Sequence, residues 1–168
     1  MSEQDYLSAQ YVKQKGEGIV YGGLMIAFGI VLFGVPRAPL ISLVAAGLSA
    51  GVAVYHWPFV RKNRKALAIS PAGITLDRLG LLPWNAIADV TIVERYIRMI
   101  RNADLHITLR RPLNTAVENA PNASIFQRYM YRCWNAPSSM EVVVKLSTLD
   151  TRPEEVEGAA RQHLPRDI

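Results

Sequence analysis

Two stretches without a single formal charge constrain this chain more than anything else in it. Residues 19–35 form a run of seventeen, and residues 38–60 a run of twenty-three, interrupted only by small polar residues and His56. At 1.5 Å rise per residue the first run spans roughly 26 Å as a helix, close to the roughly 30 Å hydrocarbon core of a bilayer, and the second is long enough to span it with tilt. The link between them, with Pro36, Arg37 and Pro39, is too short for anything but a tight helical turn. The reading is a transmembrane helical hairpin over residues 18–60, with both ends on one side of the membrane. Residues 1–17 become a cytoplasmic N-terminal segment, and residues 61–168 a separate water-soluble module. A cleaved secretory signal is the competing interpretation, because Lys13 and Lys15 precede the first run. Against it, the small-residue cleavage pattern is weak and the link leads directly into a second apolar run.

Charge supports the division and orients it. Before residue 61 the only charged side chains are Glu3, Asp5, Lys13, Lys15, Glu17 and Arg37, whereas residues 61–168 carry sixteen Lys or Arg and eleven Asp or Glu. Lys13 and Lys15 precede the hairpin, Arg61, Lys62, Arg64 and Lys65 follow it, and Arg37 stands alone at the turn. By the positive-inside rule both termini belong in the cytoplasm. Tyr55 and Trp57 then fit an aromatic belt at the headgroups, and the basic cluster lies beside anionic lipid. These eight side chains, Lys13, Lys15, Tyr55, Trp57, Arg61, Lys62, Arg64 and Lys65, are the candidate membrane interface. A net charge of +5 also suits a nucleic-acid partner, but the basic cluster abuts a span that accounts for it, and no helix-turn-helix or zinc-finger spacing appears. Small residues four apart, Gly18 with Gly22, Ala46 with Ala50 and Gly47 with Gly51, are candidates for close packing of helix backbones, within the hairpin or between copies.

After Lys65 the period changes from helical to alternating. "ALAISPAGITLDR" reads as strand, turn and strand, with Ile74 and Leu76 on one face, and "LGLLPWNAIADV" as a short strand and turn. "DVTIVERYIRMI" and "ADLHITLRR" form an expected hairpin that turns Leu105, Ile107 and Leu109 inward, and "MEVVVKLS" adds a strand with Met140, Val142, Val144 and Leu146 inward. The chain closes with a helix. Thr151 and Glu154 have capping-box spacing, Pro153 sits in the first turn, and Val156, Ala159, Ala160, His163 and Leu164 recur at helical intervals.

The run "LAISPAGITLDRLGLLPWNAIADVTIV", with Pro83-Trp84 followed by Ile87 and Val90, resembles the bacterial pleckstrin-homology-like (PH-like) domains. The likeness extends over about residues 65–165, closing helix included. It implies a membrane α-hairpin followed by an α+β module, a bent antiparallel sheet or partly open barrel capped by the C-terminal helix. It also implies a bacterial inner-membrane protein that docks or scaffolds. Eukaryotic relatives of that fold often hold phosphoinositide headgroups with cations in the first hairpin loop. That loop is "SPAG" here, without a cation, so the pocket does not carry over.

Residues 111–139 separate two strands by far more than a hairpin loop needs. Within them "NASIFQRYMYRCW" reads as a short basic, aromatic-rich helix whose Ile125, Phe126, Arg128, Tyr129, Arg132 and Trp134 are candidate contacts to a partner or to lipid; covering the open side of the sheet is the other use. Catalytic constellations are sparse. His56, His106 and His163 share no metal-ligand spacing with each other or with Cys133, and a single cysteine forms no internal disulfide. The expectation is a non-enzymatic protein without metal or cofactor, integral to the bilayer. It would serve as scaffold, accessory subunit or assembly factor for another membrane protein or complex, with homo-oligomers possible and nucleic acid excluded. The alternative is a lipid or small-ligand sensor using Arg110, Arg111, Arg128 or Arg132.

Overall fold

A computed structural model of the chain describes residues 7–61, 65–97, 100–121, 124, 127 and 129–164. The chain divides into a helical unit, residues 12–62 with 124–131, and a sheet unit, residues 1–11, 63–123 and 132–168.

In the helical unit, α1 (Lys13–Gly34) and α2 (Pro39–Tyr55) pack as an antiparallel pair. Gly34 closes α1 by accepting from the N–H groups of Arg37 and Ala38, and Pro39 starts α2, where its missing N–H costs nothing. Residues 16–34 of α1 are the one stretch among the described residues that is both helical and long and apolar enough to cross a membrane; α2, seventeen residues, is apolar but shorter. The second apolar run does not continue as helix to residue 60. Pro58 withdraws a donor and disfavours helical backbone at Trp57, so α2 ends at Tyr55 and a 3-10 turn, Trp57–Phe59, follows.

Contact between α1 and α2 runs along Val20 and Ala27 on one side and Ser42, Ala46 and Ala53 on the other, all buried. Ser49 Oγ donates to the Gly23 carbonyl across the pair at 2.8 Å. Val20 and Ala27, like Ala46 and Ala53, are seven apart, and Ser42 and Ala46 four. Gly18, Gly22, Gly47 and Gly51 lie off this seam, with nothing within 4 Å of where a side chain would begin. The close-packed glycines are Gly16, Gly23 and Gly34 instead. The outer faces carry Met25, Phe28, Phe33, Leu40, Ile41 and Leu48, each more than half exposed. That much bare hydrocarbon suits lipid and not water.

The sheet unit is α+β. Among the described residues its strands form two antiparallel four-stranded sheets, and neither closes on itself. The first has the order β1 (Leu7–Gln10), β2 (Lys65–Ser70), β3 (Gly73–Leu76), β4 (Gly80–Pro83). The second contains β5 (Ile87–Ile97), β6 (Ile100–Leu109), β7 (Trp134–Ser138) and β8 (Glu141–Lys145) in the order β5-β6-β8-β7. A helical turn, α3 (Leu113–Ala116), follows β6, and α4 (Pro153–His163) closes the chain. Gly73 makes the β2–β3 turn possible: its φ is +152°, and a side chain there would overlap the Leu82 carbonyl.

The core takes Leu67, Ile69, Ile74, Leu76 and Leu82 from the first sheet and Leu105, Ile107, Val142 and Val144 from the second, with Leu146 and, from α4, Val156 and Ala160. The inward faces read from alternation hold, with one exception. Met140 is 38% exposed, because it sits in the turn joining β7 to β8 and not in the strand. The capping box at Thr151 and Glu154 does not form: Arg152 is the N-cap, without a side-chain bond, and Thr151 Oγ1 contacts Glu155 at 3.4 Å.

Strand β1 comes from the segment expected to be only an N-terminal tail. It pairs with β2 through Leu7↔Ile69, Ser8↔Ala68, Ala9↔Leu67 and, past a bulge, Gln10↔Lys65. The long insertion also shrinks, since β7 occupies residues 134–138. Trp134 is thus a strand residue opposite Val144, and the expected helix does not reach it. Pro137 gives that strand an irregular register, which an edge position tolerates.

Candidate functional site

Two clusters flank the points where the chain passes between its units, and each is built within one unit. At the base of the hairpin, α1 and the 3-10 turn meet at Gly16 and Phe59. A side chain on Gly16 would overlap the Phe59 ring and backbone. Phe59 is buried and lies 4.8 Å, ring to ring, from Tyr131, which also stacks on His56 at 6.1 Å and 16° and meets Tyr55 edge-on at 6.1 Å. The Tyr131 N–H donates to the Tyr55 carbonyl at 2.8 Å, satisfying one of the acceptors left over at the end of α2. Tyr131, within the insertion, is thereby fastened to the hairpin's base.

In the sheet unit a buried polar latch joins β1, β2, the β3–β4 turn and the start of β7. Tyr11 Oη donates to Asp77 Oδ2 at 3.2 Å, and Arg78 Nε donates to the same oxygen at 3.3 Å. The Asp77 and Arg78 side chains are only 5% and 6% exposed. Cys133 N–H donates to Tyr11 Oη at 3.3 Å, its Sγ approaches the Ala66 carbonyl at 3.7 Å, and Trp134 Nε1 donates to the Asp77 carbonyl at 2.8 Å. Arg132 lies 4.4 Å over the Trp134 ring, a cation–π contact. Burial pushes the Tyr11 hydroxyl well above the ordinary phenol range and raises the Cys133 thiol to about 12. A thiol so raised is a poor nucleophile, and a carboxylate held by Arg78 and Tyr11 is already occupied. These groups hold the fold together.

The sequence-predicted residues scatter around these clusters. Lys13 pairs with Glu17 at 3.3 Å, one helical turn along. Tyr55 and Trp57 are 45% and 43% exposed at the end of α2, and Arg61 and Lys65 are exposed. Of the insertion candidates, Tyr129 is 77% exposed, whereas Trp134 is buried at 8% and Arg132 is engaged with it. Lys62, Arg64, Ile125, Phe126, Arg128 and the side chain of Lys15 lie outside the described residues. Arg110 Nε donates to the Ile87 carbonyl and Arg111 approaches Glu118 at 3.9 Å. Tyr11, Asp77 and Cys133 were missed. The one available signal was a Tyr at the end of a short alternating segment, "LSAQY", with no partner strand nearby in sequence.

An open cleft of about 450 Å³ lies beside the latch, lined by Lys65, Thr75, Asp77, Arg78 and Asn119 among others. A second concavity, about 620 Å³ and more apolar, lies by Leu79, Leu113 and Val117. Among the described residues no three His, Cys, Asp or Glu side chains gather to hold a metal ion. Comparison of the chain with protein-family models, curated proteins and solved structures finds no match in any of the three.

Proposed function

We propose that the chain is a PH-like module anchored in the inner membrane of a bacterium by a two-pass hairpin, and that it serves a membrane protein complex as a scaffold, accessory subunit or assembly factor. The observation that carries this reading is the pairing of β1 with β2. Gln10 and Lys65 are ladder partners, yet the apolar hairpin lies between them in sequence. A segment that leaves a sheet and returns to the neighbouring strand re-enters on the side it left, which in a bilayer requires an even number of crossings. The cations flanking the hairpin then favour the cytoplasm for the sheet unit. Tethering raises the module's effective concentration near neighbouring membrane proteins without any new contact. The polar groups buried in its latch are already committed to one another.

Single cysteines test the topology. Arg37→Cys at the hairpin turn is expected to react with an impermeant maleimide added to intact cells, and Ala72→Cys in the exposed β2–β3 turn only in inverted vesicles. Labelling of both from the same side contradicts the two-pass arrangement. The cleft beside Asp77 and Arg78 favours the sensor as a second reading. It predicts a lipid or small anion co-purifying with the lone protein and lost on Lys65→Glu.

A further inference from the structure

Each sheet ends in two edge strands, and among the described residues three of these four edges are closed. β1 is tied to the far end of the chain: Gln10 and Asp150 exchange hydrogen bonds at 2.6 and 2.9 Å, and Tyr11 bridges to Leu149. On β4, Leu81 and Glu118 exchange N–H to carbonyl bonds at 2.9 and 2.8 Å. β7 is five residues long and carries Pro137, which has no N–H to offer a further strand. β5, the other edge of the second sheet, is eleven residues long and has no proline. α4 touches it, and Ile87 and Val90 are buried, but Asp89, Thr91, Glu94, Arg95 and Tyr96 are exposed. A long edge left in this state is a template for another strand.

The direction of the free backbone groups on β5 follows from its neighbour. Leu109 N–H donates to the Met140 carbonyl, on the β8 side of β6, and Arg110 N–H donates to the Ala86 carbonyl, on the β5 side, both at 2.8 Å. Successive residues of an antiparallel strand bond to opposite sides, so positions 104, 106 and 108 of β6 bond to their ladder partners Val93, Thr91 and Asp89. Val90, Ile92 and Glu94 then turn their N–H and C=O groups to the open edge. Two such edges laid antiparallel about Ile92 match. Val90 faces Glu94 of the other copy and Ile92 faces its own counterpart, so every edge-directed donor meets an acceptor. The positions between them form the closer, non-hydrogen-bonded pairs. There Asp89 of each copy stands opposite Arg95 of the other, and both side chains are exposed. Thr91 Oγ1 donates to Asp89 Oδ2 at 2.9 Å, as residues two apart on one face of a strand can. Moving the axis by one residue either way keeps the hydrogen bonds and loses both charge pairs.

We infer that β5 is a self-association edge whose occupant is β5 of a second copy of this chain, paired antiparallel about Ile92 with an Asp89–Arg95 pair at each end. A second copy is the occupant because the edge is complementary to itself in charge at the one register that the backbone and both charges accept. Opposite charges directly across two strands favour pairing, and like charges oppose it. The pairing joins two four-stranded sheets into one continuous sheet. It concerns the sheet unit alone and does not depend on the hairpin crossing a bilayer.

The full chain is purified in mild detergent and its self-association is followed by analytical ultracentrifugation. Asp89→Arg sets Arg against Arg at both ends of the ladder, and Arg95→Asp sets Asp against Asp; each is expected to weaken the dimer by about tenfold or more. Asp89→Arg combined with Arg95→Asp restores opposite charges and is expected to recover it. Both residues are exposed, and near-ultraviolet circular dichroism verifies that the variants stay folded. Oxidative cross-linking in cell lysate, before detergent is added, reads the register independently. Ile92→Cys stands about 5.5 Å, Cα to Cα, from its own copy and is expected to form a covalent dimer. Thr91→Cys stands about 8 Å from its copy, beyond disulfide reach, and is expected to form far less. The parent protein, whose Cys133 is buried, gives the background. A chain that is monomeric in detergent and not cross-linked at position 92 overturns the inference and leaves a strand of another protein as the edge's occupant. A dimer indifferent to both single reversals, or one that the double reversal does not recover, overturns it as well.

Discussion

Replacing Asp77 by Ala probes the latch where the energetics are most one-sided. The wild-type carboxylate accepts from Arg78 at 3.3 Å and from Tyr11 at 3.2 Å, and both charged side chains are about as inaccessible as core residues. An exposed pair of this kind contributes about 0–1 kcal/mol. Removing one member of a buried pair costs about 3–5 kcal/mol, because the remaining charge has lost its water without keeping its partner. In Asp77→Ala the Arg78 guanidinium loses this carboxylate, and Tyr11 Oη loses an acceptor. The Trp134 bond to the main-chain carbonyl of residue 77 survives, so the loss is confined to the carboxylate. For a chain of this size each kcal/mol lowers Tm by about 2–4 °C, so the expected fall is on the order of 6–20 °C. The assay is thermal unfolding of detergent-solubilised protein followed by tryptophan fluorescence. Arg78→Leu combined with Asp77→Ala should cost clearly less than the two single changes added, since the double variant buries no lone charge. A fall under about 2 °C, the size expected of a surface pair, or strict additivity of the two changes would refute the reasoning.

Three further outcomes follow from the same geometry. Cys133 has its thiol raised from 9.0 to about 12, so the folded state holds its proton when the unfolded state has lost it. Stability is therefore lost as pH rises from about 9 toward 12, and Cys133→Ala should flatten alkaline unfolding over that window. Gly16→Val drives a side chain into Phe59 and is expected to destabilise the hairpin's base by about 1–3 kcal/mol, read as faster proteolysis at residues 57–61. Trp134→Phe keeps an aromatic ring but deletes the pyrrole part of the buried indole and its bond to the Asp77 carbonyl, so it should cost about 1–3 kcal/mol in urea unfolding.

What the sequence made legible divides by the range of the interaction involved. Alternation at Leu105, Ile107 and Leu109 and at Ile74 and Leu76 reported a one-sided burial that each strand carries in its own residues. The apolar runs announced themselves by length. β1 was hidden because four residues have little periodicity, and their partner strand begins fifty-five positions beyond Gln10. β7 was hidden because "WNAPS" breaks alternation with Pro137, and its place is set by β8. Within the hairpin, the glycines that pack closely differ from those that the four-residue spacing singled out, for a related reason. Four-residue spacing is visible along one helix, but which stripe faces the neighbour depends on the turn at residues 35–38, and that turn selected Gly16, Gly23 and Gly34. Charge placement is what pointed to the candidate interface, whereas the latch depends on side chains from three separate segments and a backbone carbonyl from a fourth.

The late completion of the first sheet gives the N-terminal segment a task that its length does not suggest. β1 cannot pair until β2 exists, and β2 follows both apolar helices in the chain. On the two-pass reading, residues 7–11 wait at the membrane surface while the hairpin enters the bilayer, then add to the edge of β2. Once there they are fastened from the far end of the chain: Gln10 and Asp150 exchange hydrogen bonds at 2.6 and 2.9 Å, and Tyr11 bridges to Leu149 as well as joining the latch. None of these contacts can form if the hairpin crosses once or three times, since β1 and β2 would then lie across the membrane from each other. On that reading, the strand that completes the sheet makes the stability of the sheet unit conditional on the number of crossings. A wrongly inserted chain would lack its edge strand, its latch and the tie to residues 149–150 together, and would be distinguished from the correct one by several cooperative contacts rather than by the hydrophobicity of its helices alone.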